Sequence, residues 1–121
     1  IYSAEPEHYD GTAQSLAAQR IIAVEQKHKT ICDAIMTPEP GELTFSIIRN
    51  LVSGGLVVSD KETRNAMCHA FNRLKLVVEP GGCVALAALL SHKINVKGKT
   101  VVAVCSGGNV DSALYAEILA G

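Results

Sequence analysis

Neither sign of charge is in surplus in this chain: 11 lysines and arginines face 12 aspartates and glutamates, for a net charge of −1. Gripping a phosphate backbone or an anionic membrane needs such a surplus, so nucleic-acid and lipid-surface roles are not expected, and a small-molecule partner is. Long apolar runs are missing as well. None approaches ~18 residues, and the opening Ile1-Tyr2-Ser3-Ala4-Glu5-Pro6 is neither basic nor long enough for a signal peptide, so no membrane span or leader is expected. There is no C-x-x-C pair. Cys32, Cys68, Cys83 and Cys105 stand far apart among apolar neighbours such as Ala34, Ala66, Val84 and Val104, which predicts buried, reduced thiols and a cytoplasmic location rather than a disulfide or zinc framework. His8, His28, His69 and His92 fall at no ligand spacing with one another or with a cysteine, so a zinc site is not expected. Internal repeats, low-complexity stretches and linkers are absent too.

What is present is a chain of 121 residues, 48% of them hydrophobic, enough for one compact domain, so residues 1–121 are taken as a single segment. It starts at Ile1 without a methionine and opens directly on a strand pattern, which suggests a piece of something longer. Ile1–Ala4, Gly55–Val58 and Thr100–Cys105 are short apolar runs rich in β-branched residues and closed by turn residues. The last is almost continuously apolar, as suits a strand covered on both faces. Between them lie helical patterns. Leu43, Ile47, Ile48 and Leu51 mark one helix face, and Ser59-Asp60-Lys61-Glu62 is a capping-box signature opening a helix that runs to roughly Leu76. Pro80 suits a first helical position ahead of the small-residue segment Cys83–Leu90, and Val110–Leu119 reads as a final helix. The expectation is an α/β fold: an open, mainly parallel sheet with flanking helices in three layers.

Chemistry is expected at the carboxyl ends of such strands. Ser106-Gly107-Gly108-Asn109 follows a strand pattern and precedes a helix pattern, yet it lacks the full G-x-G-x-x-G fingerprint and the lysine of a phosphate-binding loop. From spacing alone it is either a structural tight turn or a ligand-contacting one. Val78-Glu79-Pro80-Gly81-Gly82 is a second glycine-containing turn at a helix start, where Glu79 either lines a site or simply caps the helix.

Leu76–Leu90, containing Val78-Glu79-Pro80-Gly81-Gly82, followed by Lys97–Asp111, containing Ser106-Gly107-Gly108-Asn109, resembles the carboxyl-terminal part of the catalytic domain of pyridoxal-phosphate-dependent threonine/serine dehydratases and serine racemases, enzymes of fold type II. Ser3-Ala4-Glu5-Pro6-Glu7, Thr30-Ile31-Cys32-Asp33-Ala34 and Pro40-Gly41-Glu42-Leu43-Thr44-Phe45 fall in the order that family shows. The resemblance implies pyridoxal 5'-phosphate as cofactor, bound by Ser106 and Gly107, with Glu79 beside the ring and the Gly81-Gly82 turn allowing a close backbone approach. A neutral hydroxyl on the pyridine nitrogen, unlike a carboxylate, does not hold a proton there, so the ring is a milder electron sink and expulsion of a β-hydroxyl is favoured.

The resemblance further implies, for the racemase-like branch, a divalent cation (Mg²⁺ or Ca²⁺) on Glu5 and the Tyr9 carbonyl. The third ligand of that branch is an aspartate at the position held here by Gly11, with Asp10 next door, so the chain departs from the pattern and Glu5 is alternatively a solvated or capping carboxylate. The cofactor-bearing lysine and the phosphate-cradling loop of the family have no counterpart among these residues. Lys27, Lys29, Lys93, Lys97 and Lys99 sit in turn-like contexts unsuited to a nucleophilic amine. The parent activity implied is conversion of L-threonine or L-serine, a small amino-acid substrate, to a 2-oxo acid and ammonia in a homo-oligomeric enzyme, with the segment alone inactive and weakly cofactor-binding. Serine racemase and a non-catalytic α/β binding module are the alternatives. Self-association of the segment is expected through the face of Val101 and Val104 and the small-residue helix around Ala85 and Ala88.

Overall fold

A computed structural model describes all residues, 1–121. Two strands form the sheet, β1 (Ser3–Pro6) and β2 (Gly55–Val58), paired in parallel with Ser3 opposite Gly55 and Pro6 opposite Val58. Side chains alternate between sheet faces, so Ala4, Leu56 and Val58 share one face and Glu5 and Gly55 the other. The first face is covered by α4 (Pro80–Leu90), on which α3 (Asp60–His69) packs in turn. The second is covered by α1 (Gly11–Ala18): a Cβ added to Gly55 would stand 2.5 Å from Ala13 Cα, so this strand–helix approach requires glycine. The result is a helix–sheet–helix sandwich whose core joins Val58, Met67, Val78, Cys83, Ala87 and Ile118 with smaller neighbours.

The local signals in the sequence act where they were expected for most elements. The helix after the Pro-Gly loop is α2 (Glu42–Leu51), and Pro80 opens α4 at its first turn. In α3 the capping box is complete, with the Ser59 hydroxyl accepting from the Glu62 amide at 3.3 Å and the Glu62 carboxylate accepting from the Ser59 amide at 2.7 Å. This helix continues through one π turn, Ala70–Leu74, and stops at Lys75, which takes a left-handed conformation with φ 60°. The final helix is α5 (Ser112–Ala120), capped by Asp111, whose carboxylate accepts from the amides of Ala113 and Leu114.

Four expectations change. Thr100–Cys105 forms no strand ladder, so the sheet has two strands rather than a broad mainly parallel array. An apolar, β-branched run becomes a strand only when a neighbour takes up its backbone groups, and nothing in this chain does so. The apolar stripe of α2 points outward: Leu43, Ile47 and Leu51 are exposed and only Phe45 is buried. Cys32 and Cys83 are buried free thiols, but Cys105 is exposed, because it belongs to the unpaired segment. Ala88 lies fully inside the core, leaving Val101 and Val104 exposed and Ala85 only partly covered. No helix is long and apolar enough to cross a membrane.

Candidate cofactor site at two interlocked turns

The two glycine-containing turns singled out in the sequence meet in space. The Glu79 amide donates to the Gly107 carbonyl at 2.9 Å, tying the start of α4 to the turn before α5. Side chains are excluded from the seam. A Cβ on Gly82 would lie 2.8 Å from the Gly107 oxygen, and one on Gly108 would lie 2.7 Å from the Val77 oxygen, so both turns need glycine in order to nest. Gly81 faces a different neighbour: its α-carbon looks onto Ile35, part of the 3₁₀ turn Asp33–Ile35. Within this chain the close approach is made by Gly82 against Gly107, while Gly81 makes only ordinary contact with the 3₁₀ turn.

Glu79 occupies the N-cap position of α4, and its side chain makes no capping hydrogen bond. It lies instead over Gly107, where an added Cβ would collide with Glu79 Oε1. Of the two readings left open by the sequence, the side-chain cap is not formed. Ser106, one residue before, is exposed, and its hydroxyl has no partner within the chain. The site thus presents, side by side, an unpaired neutral hydroxyl, a half-buried carboxylate and a backbone seam of glycines. A hydroxyl can donate to or accept from a ring nitrogen, so this donor set fits the pyridine end of pyridoxal phosphate.

The sequence signals gave no hint of what holds the neighbouring wall in place. The Asp60 carboxylate accepts from the Thr30 hydroxyl and from the Ile31 amide, and this fixes the segment leading into the 3₁₀ turn that abuts Gly81. Asp60 is the first helical residue after the Ser59 cap, and only its position within the capping box was legible. Cys32 is buried in this wall. Burial above all pushes its thiol up to about 11, and the nearby Asp60 and Asp33 charges act in the same direction. In α4, burial and then the charges of Cys105 and Cys32 push the Cys83 thiol up to about 12. Both are poor nucleophiles at neutral pH.

The residues considered for a cation are placed differently. Glu5 uses both carboxylate oxygens on the amino end of α1, accepting from the Thr12 amide at 3.0 Å and the Ala13 amide at 2.8 Å, which is the capping role left open by the sequence. Tyr9 is buried and donates its hydroxyl to the His28 carbonyl at 2.7 Å. Gly11 is the first residue of α1 and buried, and the Asp10 carboxylate accepts from the Gln14 amide group. No group of three histidine, cysteine, aspartate or glutamate side chains is arranged to hold a metal ion.

Residues 1–107 match the family described as pyridoxal-phosphate dependent enzyme. The chain belongs to the fold-type-II branch of these enzymes. It is 40% identical to the L-threo-3-hydroxyaspartate ammonia-lyase of Saccharomyces cerevisiae over 121 residues, all of this chain and 37% of that enzyme. It is 39% identical to the serine racemase of Schizosaccharomyces pombe, over 98% of this chain and 36% of that protein. Among solved structures, a threonine deaminase from T.th. superposes with a TM-score of 0.84 at 40% identity, over 92% of this chain and 40% of that one. Maize serine racemase also gives 0.84, at 35% identity over 97% of this chain and 36% of the other. This fold-type-II chain thus spans little more than a third of the length of the relatives it matches. Its relatives divide between ammonia-lyases and racemases, so membership in the family leaves the reaction to be argued from the site.

Proposed function

We propose that these residues form the pyridine end of the cofactor site in a pyridoxal-phosphate-dependent ammonia-lyase that converts a small β-hydroxy amino acid, L-threonine or L-serine, to a 2-oxo acid and ammonia. The observation that supports this reading is the seam between Glu79 and Gly107, which leaves the Ser106 hydroxyl unpaired beside a half-buried carboxylate. When bound, pyridoxal phosphate supplies an electron sink for the α-carbon of the amino acid it carries. Ser106 would hold the pyridine nitrogen through a neutral hydrogen bond, a partner that, unlike a carboxylate, would leave the bound ring a milder electron sink. Glu79 and the glycine seam fix the turn at Gly107, next to Ser106, before the ring arrives. Cation dependence is not part of the proposal, because Glu5 is engaged with the α1 amides. A homo-oligomeric, cytoplasmic enzyme whose parallel sheet continues beyond β1 and β2 completes the reading.

The test is made in the full-length enzyme that carries this segment. Ser106→Ala removes the partner of the ring nitrogen and should lower kcat/KM for L-threonine or L-serine about tenfold or more, as expected for the loss of ~1–3 kcal/mol of hydrogen bonding. The absorbance of the bound cofactor should shift as well. Unchanged turnover together with an unchanged spectrum overturns the assignment. Assaying the products from L-serine separates the two branches, since a 2-oxo acid with ammonia marks the lyase and D-serine marks the racemase.

A further inference from the structure

Between Lys29 and Thr37 the backbone makes no hydrogen bond to the backbone of any other part of the chain. Yet this stretch walls the turn that opens α4. Ile31, Cys32 and Ile35 pack into the core with Cys83 and Ala87, and Ala34 and Ile35 stand in ordinary contact with Gly81. A carboxylate from a distant element ties the stretch down. Asp60 accepts from the Thr30 hydroxyl with one oxygen and from the Ile31 amide with the other, the second at 3.1 Å. The Thr30 hydroxyl in turn accepts from the Cys32 amide at 3.2 Å, and the Cys32 carbonyl accepts from the Ile35 amide at 3.1 Å, which closes the 3₁₀ turn. Hydrogen bonds thus run without a break from Asp60 to the turn that abuts Gly81.

Asp60 is not needed to cap its own helix. Ser59 and Glu62 complete the capping box of α3 between them, which leaves the Asp60 side chain to bind a segment about thirty residues earlier in the chain. We propose that Asp60 is a positioning residue of the cofactor site: it holds Thr30–Ile35 against the amino end of α4 and thereby keeps the Glu79–Gly107 seam closed next to Ser106. Gly81 lies two residues from Glu79 in the same first turn of α4, and a close-packed interior transmits a displacement of that wall to the Glu79 amide, which donates to the Gly107 carbonyl. Asp60 makes no hydrogen bond to Glu79 or Ser106 and acts only through the wall. The proposal rests on the reading of the seam as the pyridine end of the cofactor site.

The test uses the full-length enzyme that carries this segment, as Asp60→Ala, Thr30→Val and Thr30→Ser. Glu62→Gln serves as the control, because it weakens the start of α3 without touching Thr30 or Ile31. In the cofactor-free enzyme, hydrogen exchange at the Glu79 amide should be about tenfold faster in Asp60→Ala and Thr30→Val, as expected for the loss of a hydrogen bond to a charged group. It should be unchanged in Thr30→Ser, which keeps the hydroxyl, and in Glu62→Gln. In the loaded enzyme, Asp60→Ala and Thr30→Val should release pyridoxal phosphate about tenfold faster and shift its absorbance, while the other two behave like the parent. Thr30→Val removes one link at nearly constant volume, so the outcome can be read even if Asp60→Ala does not fold. Parent-like exchange at Glu79 in Thr30→Val and in any folded Asp60→Ala overturns the proposal and leaves the reading of the site intact. An equal change in Glu62→Gln also overturns it, since Asp60 would then be a general support of α3. Faster exchange with an unchanged cofactor spectrum and release rate overturns it through the reading on which it rests, because the seam would then have no bearing on the cofactor.

Discussion

Single side chains in this protein differ most by whether solvent reaches them. The four thiols make the point, since Cys32 and Cys83 are buried, Cys68 is half-buried with its sulfur donating to the Ile118 carbonyl, and Cys105 is open to solvent. Iodoacetamide followed by mass spectrometry should therefore label Cys105 first, Cys68 more slowly, and Cys32 and Cys83 only as fast as the chain unfolds. Equal labelling of all four in the native state would contradict the packing. The same burial predicts an alkaline limit. The Cys32 and Cys83 thiols are raised from an ordinary value of 9.0 to about 11 and about 12, so the unfolded chain gives up these protons at lower pH than the folded one. Their contribution is fully present below pH 9 and is lost as pH rises through the folded values, which urea unfolding across that range should show as a falling midpoint. Residue type alone predicted four buried thiols. It failed at Cys105, which lies in a segment whose backbone has no partner in the chain.

Among the elements, α3 is the one whose start was readable in full. Ser59, Glu62 and their spacing determine a local exchange of hydrogen bonds, and no distant contact is needed to form it. Ser59→Ala should lower the urea unfolding free energy by about 1 kcal/mol, and a change indistinguishable from zero would mean that α3 is set by its packing on α4 instead. Glu62 adds a pH signature. Burial raises its carboxyl, but the Ser59 amide and hydroxyl together with Lys93, 2.9 Å away, outweigh that and hold it below the ordinary 4.5. A depressed carboxyl contributes stability that is present above pH 4.5 and is lost as pH falls through its folded value, so Glu62→Gln should flatten the acid limb of the stability curve. By contrast α1 was missed. Its first amides are taken by Glu5, six residues before Gly11 and in a different element, while Asp10 at the N-cap makes no side-chain cap bond.

At the scale of the whole molecule, the absence of an activated amine outweighs the quality of the half-site. All seven lysines are exposed and none is desolvated in a pocket. The 121-residue chain mixed with pyridoxal phosphate should therefore release no ammonia or 2-oxo acid from L-threonine or L-serine above a lysine-matched control, as read by a coupled dehydrogenase assay. Turnover by the purified chain would show that one of these lysines is activated. What the sequence by itself determined is whatever neighbours along the chain can settle: the Ser59 cap, Pro80 at the start of α4, the strand over Gly55–Val58, and the motifs around Glu79 and Ser106 that place the chain in its family. These are set by backbone sterics and hydrogen bonds spanning a few residues, or by residue identities that need no geometry to be read. Only the tertiary structure decided that Gly82 and Gly107 nest, that Glu79 lies over the turn instead of capping α4, that Glu5 caps α1, and that Asp60 steadies the wall beside Gly81. It also decided that Thr100–Cys105 stays unpaired and that the stripe of α2 faces outward. The physical reason is common to all of these. Each depends on which surface the fold brings opposite a residue, and an apolar or acidic side chain takes a different role according to whether it meets a backbone amide, a packed helix or water.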